Sequence, residues 1–190
     1  NGGIASGKIA QYKRMVDDGN EIMTPEVIKN IGDWVRAGGT YITLPFTGRS
    51  EPSAPDSWPI DALTGCQVKA MRTPGPGKGT VTITKDQPLF KELAGKSFPD
   101  DGTDKEGNGI DHNFLSTELA PGPDCQVVAT YENGAPAIVI HKLGQGRVIS
   151  LGSIFFRHIQ DIKGLWLCTD LESAFFRDLR GFRGSLAWGA

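Results

Sequence analysis

Met23-Thr24-Pro25-Glu26-Val27-Ile28-Lys29-Asn30-Ile31-Gly32-Asp33-Trp34-Val35-Arg36-Ala37-Gly38-Gly39-Thr40-Tyr41-Ile42-Thr43-Leu44 is the stretch on which the fold reading turns. Thr24 reads as an N-cap, Pro25 occupies the first helical position, where its missing N–H costs nothing, and Glu26 places negative charge in the first turn. Val27, Ile28, Ile31, Trp34 and Val35 recur at helical spacing, so one face of this helix is suited to burial. Gly38-Gly39 ends it, and Thr40 to Leu44 follows at once as a strand rich in β-branched and aromatic residues. Upstream, Tyr12 to Gly19 reads as a short strand leaving through a polar turn that contains Asp17 and Asp18. A strand-helix-strand unit implies two parallel strands in one sheet with the helix on a face. Ligands of such sheets gather beyond the carboxyl ends of the strands, which places Asp17, Asp18 and the segment from Pro45 to Ser50 on the edge of interest.

Downstream, Arg49 to Pro59 carries three prolines and no periodicity, as a long surface loop does, and ends at Trp58 before a short helix at Ile60 to Leu63. Gln67 to Met71 and Thr80 to Thr84 alternate like strands and read as a hairpin with its tip at Pro74 to Gly79. Pro88 to Leu93 suits a helical turn or two. Pro99 to Gly109 is polar, Gly-rich and acidic, an exposed loop. Cys125 to Tyr131, Ala135 to Lys142 and Arg147 to Leu151 form the best-defined β region. Breaks at Asn133-Gly134 and at Leu143 to Gly146 make it an antiparallel meander. Its runs Ile138 to Ile140 and Val148 to Leu151 are apolar enough for burial on both faces. Thr169-Asp170-Leu171-Glu172 has the capping-box form and opens a helix closed near Gly181, expected to dock on the sheet. The order of these elements gives an α/β class.

The 190 residues suit one core and are too few for two full domains. With 38% hydrophobic and 22% charged residues the composition is that of a globular domain, and 25 Gly and 12 Pro make it loop-rich. A net charge of -2 offers no attraction to a polyanion, so nucleic acid is not an expected partner. No apolar run approaches the roughly 20 residues of a membrane-spanning helix, and no membrane partner is expected. The start Asn1-Gly2-Gly3 has neither an initiator Met nor a signal-peptide pattern, and the expectation is either a mature product or a piece of a longer chain. The compartment is unread; a periplasmic or secreted location follows only if that longer chain acts on polysaccharide.

Catalytic constellations are absent from the pattern. Cys66, Cys125 and Cys168 have no CxxC spacing and read as buried thiols; Cys168 alone precedes a helix start whose dipole would favour a thiolate. No Gly-x-Cys-x-Gly or Gly-x-Ser-x-Gly elbow occurs. His112, His141 and His158 lack metal-ligand spacing. Asp104 to Gly109 matches half of a calcium loop, but Leu115 stands where the bidentate Glu belongs, and a solvated loop is favoured over an ion site in the 99–109 region. Pro74 and Pro76 remove the amides a phosphate cradle needs. Asp17, Asp18, Asp100 and Asp101 are paired carboxylates of the kind glycosidases use, with solvated surface acids the favoured reading. Arg157 and Asp161 follow the Gly152-Ser153 break at a strand's carboxyl edge, where a structural ion pair is favoured over a ligand contact. Trp58, Trp166 and Arg49 suit a sugar-binding surface. No catalytic residue, metal ligand or cofactor is assigned; Asp17, Asp18, Arg49, Trp58, Arg157 and Asp161 remain as carbohydrate or interface contacts.

Tyr12 to Gly19, Met23-Thr24-Pro25-Glu26, Trp34 to Thr40, Thr47-Gly48-Arg49, Gly134 to Val139 and Gly144 to Ser153, in that order, resemble the latter half of class I glutamine amidotransferase-like domains attached to bacterial glycoside hydrolases. The β-galactosidase trimerisation domain is the nearest form. The likeness covers residues 12 to 182. It implies a flavodoxin-like three-layer α/β sandwich with a mostly parallel sheet and an antiparallel meander, lacking its first strands because the family begins with further strand-helix units. True amidotransferases carry a nucleophilic Cys and a His-Glu pair that nothing here matches. The resemblance therefore implies a non-catalytic oligomerisation or structural module whose partners are other domains or subunits of one carbohydrate-active enzyme, with loops that reach a neighbouring active site. A self-contained hydrolase using loop carboxylates and a sugar-binding module, with an oligosaccharide as partner, are the alternatives.

Overall fold

A computed structural model describes residues 8–17, 19–74, 78–85, 90, 93–100 and 116–153. After a 3-10 turn at Lys8–Gln11 come β1 (Arg14–Val16), α1 (Pro25–Arg36), β2 (Thr40–Thr43), the single turn α2 (Asp61–Thr64), β3 (Cys66–Arg72), β4 (Thr80–Ile83), β5 (Ser97–Pro99), β6 (Ser116–Pro121), β7 (Cys125–Tyr131), β8 (Pro136–Leu143) and β9 (Gly146–Leu151).

The strand-helix-strand unit is as read. The Thr24 side chain accepts a hydrogen bond from the Val27 amide at the start of α1, and Ile31, Trp34 and Val35 are buried along the helix. β1 and β2 pair in parallel, Met15 opposite Tyr41. Trp34 donates its indole N–H to the Tyr12 carbonyl at 3.0 Å, which fixes the helix to the chain entering β1. The ring lies over Gly39, where a Cβ would stand 2.4 Å from Trp34 Cε2. Glycine is therefore needed after the helix for close approach and not merely as a stop.

One seven-stranded sheet runs β1-β2-β9-β8-β7-β4-β5, and β3 pairs with β6 in a separate two-stranded ribbon. β1–β2 and β2–β9 are parallel. β9–β8, β8–β7, β7–β4 and β4–β5 are antiparallel, so the expected mostly parallel sheet is in fact a mixed one. Connection length explains the difference. The tight turns joining β7 to β8 and β8 to β9 can only reverse the chain, whereas a parallel neighbour needs a crossover as long as α1. The meander itself is as read, with Gly134 at φ 80° in its first turn and Asn133 Oδ1 accepting from the Ala135 amide.

The expected hairpin between the 67–71 and 80–84 runs does not form. β3 pairs with β6, and β4 takes β5 and β7 as neighbours. Val81 and Ile83 are fully buried and belong in the main sheet, whereas most of β3 is exposed and suits a ribbon.

Both faces of the central strands are dry, as their apolar runs imply. Ile42, Ile138, Ile140, Ile149 and Leu151 face one cluster with Val81, Phe98, Phe90 and Leu93. Tyr41 and Val148 face α1 and Leu63 of α2 on the other side. Val139 packs there against Cys66 and Leu119 of the ribbon. The architecture is a sheet-dominated α/β arrangement with α1, α2 and the ribbon on one face; among the described residues no α-helix lies on the other. Of the expected helical turn at Pro88 to Leu93, Phe90 and Leu93 are described, and both are buried. The expected helix from Thr169 lies outside the described residues.

Replacing Gly39 with Ala should lower the urea midpoint by an amount equivalent to about 1–3 kcal/mol, the range for overpacking against a pinned side chain, with the m-value unchanged. An unaltered midpoint would show that the Trp34 ring yields freely.

Candidate functional site

The carboxyl ends of β1, β2 and β9 open toward one loop, residues 44–60, and that loop is strained. Phe46, Asp56 and Trp58 all have positive φ, at 70°, 56° and 49°. For aromatic residues this is a rare conformation that surrounding contacts must enforce. Leu44 donates its amide to Thr47 Oγ1 at 3.1 Å, and Thr47 and Arg49 donate theirs to the Leu44 and Phe46 carbonyls. Gly48, at φ 61°, leaves no room for a Cβ beside Ile60. Arg49 Nε donates to Asp56 Oδ1, and its guanidinium sits 5.8 Å above the Phe46 ring. The Asp56 amide donates to Ser50 Oγ at 3.0 Å. Phe46, the strained residue nearest the end of β2, has no nucleophilic atom.

Behind the loop lies a cavity of about 20 Å³, bounded by Trp58 and Phe46 at the loop, Asp61 of α2, Ser150 of β9, and Cys66 and Leu119 of the ribbon. That is room for one water-sized group. Ser150 is 4% exposed. Its hydroxyl and Asp61 Oδ1 are buried atoms without a hydrogen-bond partner. Burial pushes the Asp61 carboxyl up to about 6. Neighbouring polar groups are satisfied: Thr64 Oγ1 donates to the Cys66 carbonyl at 3.0 Å. Ser150 Oγ lies close enough to the Cys66 thiol to bias it downward, without hydrogen-bond geometry.

Two thiols and an imidazole do approach one another here. Cys125 stands opposite His141 across β7 and β8, and both crowd Gly65. They are not a dyad. The Cys125 thiol donates to the Gly65 carbonyl at 3.1 Å, and His141 Nδ1 meets the Leu63 carbonyl at 3.0 Å. A carbonyl only accepts, so that nitrogen carries the proton. Burial pushes both the Cys66 and Cys125 thiols up, opposite to what a nucleophile needs. Among the described residues no cluster of three His, Cys, Asp or Glu side chains suits a metal ion.

A second polar cluster joins the ribbon to the main sheet. Arg72 at the end of β3 has 9% of its side chain exposed and pairs with Glu118 at 3.1 Å, Glu132 at 2.6 Å and Asp100 at 3.9 Å. Its guanidinium lies 3.9 Å from the Tyr131 ring centre. Asp100 also accepts from Ser116 Oγ at 2.9 Å and from Ser153 Oγ. The expectation of a solvated surface acid is therefore wrong for Asp100, which is 0% exposed. Burial pushes its carboxyl up to about 6, with Ser153, Ser116 and Arg72 each pulling partly back.

Asp17 is likewise no free surface acid. It is half-buried beyond β1, accepting from the Asn20 amide at 2.7 Å and the Tyr41 hydroxyl at 3.0 Å, and burial raises its carboxyl. Thus Asp17, Arg49 and Trp58 do border one edge, and Trp58 lines the cavity, while Arg49 is held by Asp56 and by Glu21 at 4.0 Å. Asp18, Asp101, Arg157, Asp161, Trp166 and Cys168 lie outside the described residues, as does the loop 101–109. Asp61 was missed because no spacing rule marks it. Ser150 had a signal, a lone hydroxyl in an otherwise apolar run.

No protein-family profile and no curated protein matches the chain. Solved structures do. The β-galactosidase from Bacillus circulans sp. alkalophilus superposes with a TM-score of 0.62 at 17% identity, over 76% of this chain and 20% of that one. Gan42B, a GH42 β-galactosidase of G. stearothermophilus, gives 0.61 at 15% identity, over 93% of this chain and 22% of that one. The cytoplasmic protein STM1381 from Salmonella typhimurium LT2 gives 0.54 at 15% identity, over 77% and 62%. The likeness is one of fold. This chain spans about a fifth of the length of the two β-galactosidases.

Asp100 has a definite pH signature. A carboxyl whose folded pKa lies above its ordinary 3.8 contributes stability that is fully present below 3.8 and lost as pH rises through about 6. Urea midpoints for Asp100→Asn, measured against the native chain across that window, should shift in favour of the variant as pH rises. A difference constant with pH would contradict this.

Proposed function

We propose that the chain is a non-catalytic structural or oligomerisation module of a bacterial carbohydrate-active enzyme, a glycoside hydrolase of the β-galactosidase-like kind. The observation that carries the reading is the strained turn after β2, which places Phe46, a residue with no nucleophilic atom, at the carboxyl edge of the parallel strands. Its thiols support the same view, since burial raises both described ones and carbonyls hold the Cys125 proton. The fold likeness to about a fifth of two β-galactosidases adds support for one domain within a longer polypeptide.

In this reading the scaffold is an amidotransferase-like, flavodoxin-like three-layer sandwich of the trimerisation-domain type, folded as a single domain. Its partners are other domains or subunits of the same enzyme. Asp17, Arg49 and Trp58, together with Asp18, Arg157 and Asp161, serve as interface or carbohydrate contacts and not as catalysts.

The 190-residue chain, assayed with an aryl β-galactoside and with glutamine, should show no turnover above the blank, and light scattering should report a mass above that of one chain. Turnover abolished by one substitution, at Asp17, Asp61 or Cys66, would defeat the non-catalytic reading. A monomer at every concentration would remove oligomerisation.

A further inference from the structure

β1 ends the strand order of the seven-stranded sheet, and its outer side has no neighbouring strand among the described residues. The ladder to β2 shows which groups face outward. Thr40 donates its amide to the Lys13 carbonyl at 3.0 Å, and Asp17 donates its amide to the Ile42 carbonyl at 2.9 Å. Alternate residues of a strand bond to the same neighbour, so Lys13, Met15 and Asp17 turn their backbone groups toward β2. Arg14 and Val16 aim theirs away from the sheet. Tyr12, Lys13 and Arg14 are exposed, Tyr12 at 59%. Met15 and Val16 are half-buried and pack against clusters on opposite faces, as residues of an interior strand do.

The other outer strands carry features that discourage pairing. β5, at the far end of the same sheet, has Pro99, which has no N–H to give a neighbour. β3 of the ribbon has exposed Lys69 at its bulge and no acid among its residues to answer it. β1 instead lies within Lys13-Arg14-Met15-Val16-Asp17, basic at one end and acidic at the other. Such a strand is complementary to a reversed copy of itself.

Pairing about a two-fold axis is antiparallel, and it must set outward-facing residues opposite one another. With the axis at Met15, Arg14 faces the partner's Val16 and Val16 faces the partner's Arg14, each pair exchanging two backbone hydrogen bonds. Lys13 then stands opposite the partner's Asp17, and Met15 opposite the partner's Met15. A slip of two residues one way sets Arg14 against the partner's Arg14; a slip the other way sets Asp17 against the partner's Met15. Charge therefore selects the register centred on Met15.

We propose that the outer edge of β1 is a self-association surface: a second copy of this chain adds its own β1 antiparallel, centred on Met15, and the two sheets become continuous. The inference rests on the oligomerisation part of the reading above and gives it an interface and a symmetry.

The test is sedimentation equilibrium of the 190-residue chain, at concentrations up to about 1 mM to reach a weak interface, and the data should fit monomer and dimer. Arg14→Pro deletes an outward amide without touching the ladder to β2, and Lys13→Asp turns cross-strand attraction into repulsion on both sides of the axis. Each should raise the dissociation constant about tenfold or more. Lys13→Asp, at an exposed position, decides the matter if Arg14→Pro fails to fold. Met15→Cys reads the register directly, because opposed residues of a non-hydrogen-bonded pair have Cα atoms about 4.5 Å apart, within disulfide reach. Under oxidised glutathione this variant should form covalent dimer above the background of the native chain, and Arg14→Cys, which faces Val16, should not. If Arg14→Pro and Lys13→Asp associate like the native chain and Met15→Cys does not cross-link, association lies elsewhere and this proposal alone falls. It also falls alone if the only assembly is a trimer, which a two-fold contact cannot close. If the native chain is a monomer throughout and Met15→Cys gives no covalent dimer, the proposal and the oligomerisation reading fall together.

Discussion

The central residues of β2, β8 and β9 are dry on both faces, and that constraint governs the rest of the molecule. A polar atom on such a strand cannot reach bulk water, so each needs a partner supplied by whatever packs over it. Tyr41 finds Asp17 from the turn after β1. His141 finds the Leu63 carbonyl of α2. These bonds align the covering elements with the sheet, because each joins a residue of the central strands to one particular point on its cover. Ser150 is the exception in β9, and the exception falls where the cover parts to leave a cavity.

The ribbon of β3 and β6 is attached by a different logic. Val68, Cys66 and Leu119 give it a small apolar face on Val139, too little to specify its position. Arg72 supplies specificity. One guanidinium gathers carboxylates from the ends of β5 and β7 and from β6, and stacks on Tyr131, so sliding the ribbon by one residue would strand several charges at once. A buried ion network of this kind contributes less to net stability than to the choice of one register, since desolvation offsets much of the Coulombic attraction. Asp100 bears that desolvation most visibly.

What was legible in the amino-acid order divides along sequence separation. The Thr24 cap, the apolar face of α1, the Gly pair after it and the Asn133-Gly134 turn are local signals, read within a few residues, and the structure keeps them. Pairing of β3 with β6 crosses some fifty positions, and nothing in the alternation of Gln67 to Met71 distinguishes that partner from nearby β4. Asp100 looked like a loop acid because its partners Arg72, Ser116 and Ser153 come from three other parts of the chain. The same separation hid the site: Asp61, Ser150 and Trp58 meet only after the sheet has formed. Trp58 alone was named in advance, as an aromatic residue in a loop; Ser150 carried a signal that was not used, a hydroxyl inside the apolar run from Val148 to Leu151.

Strain in the 44–60 loop bears on what that loop is for. Three non-glycine residues with positive φ cost about 1–3 kcal/mol each, and glycine at any of them would relieve much of it. Glycine appears only at Gly48, where contact with Ile60 also demands it. The other positions carry side chains with a place in the site: Asp56 holds Arg49, while Phe46 and Trp58 border the cavity. A loop serving only to join β2 to α2 would relax. This one holds two aromatic rings at the carboxyl edge of parallel strands, over a carboxylate and a hydroxyl with unused hydrogen-bonding capacity. Such an arrangement holds the rings of Phe46 and Trp58 in fixed positions at the edge of the sheet.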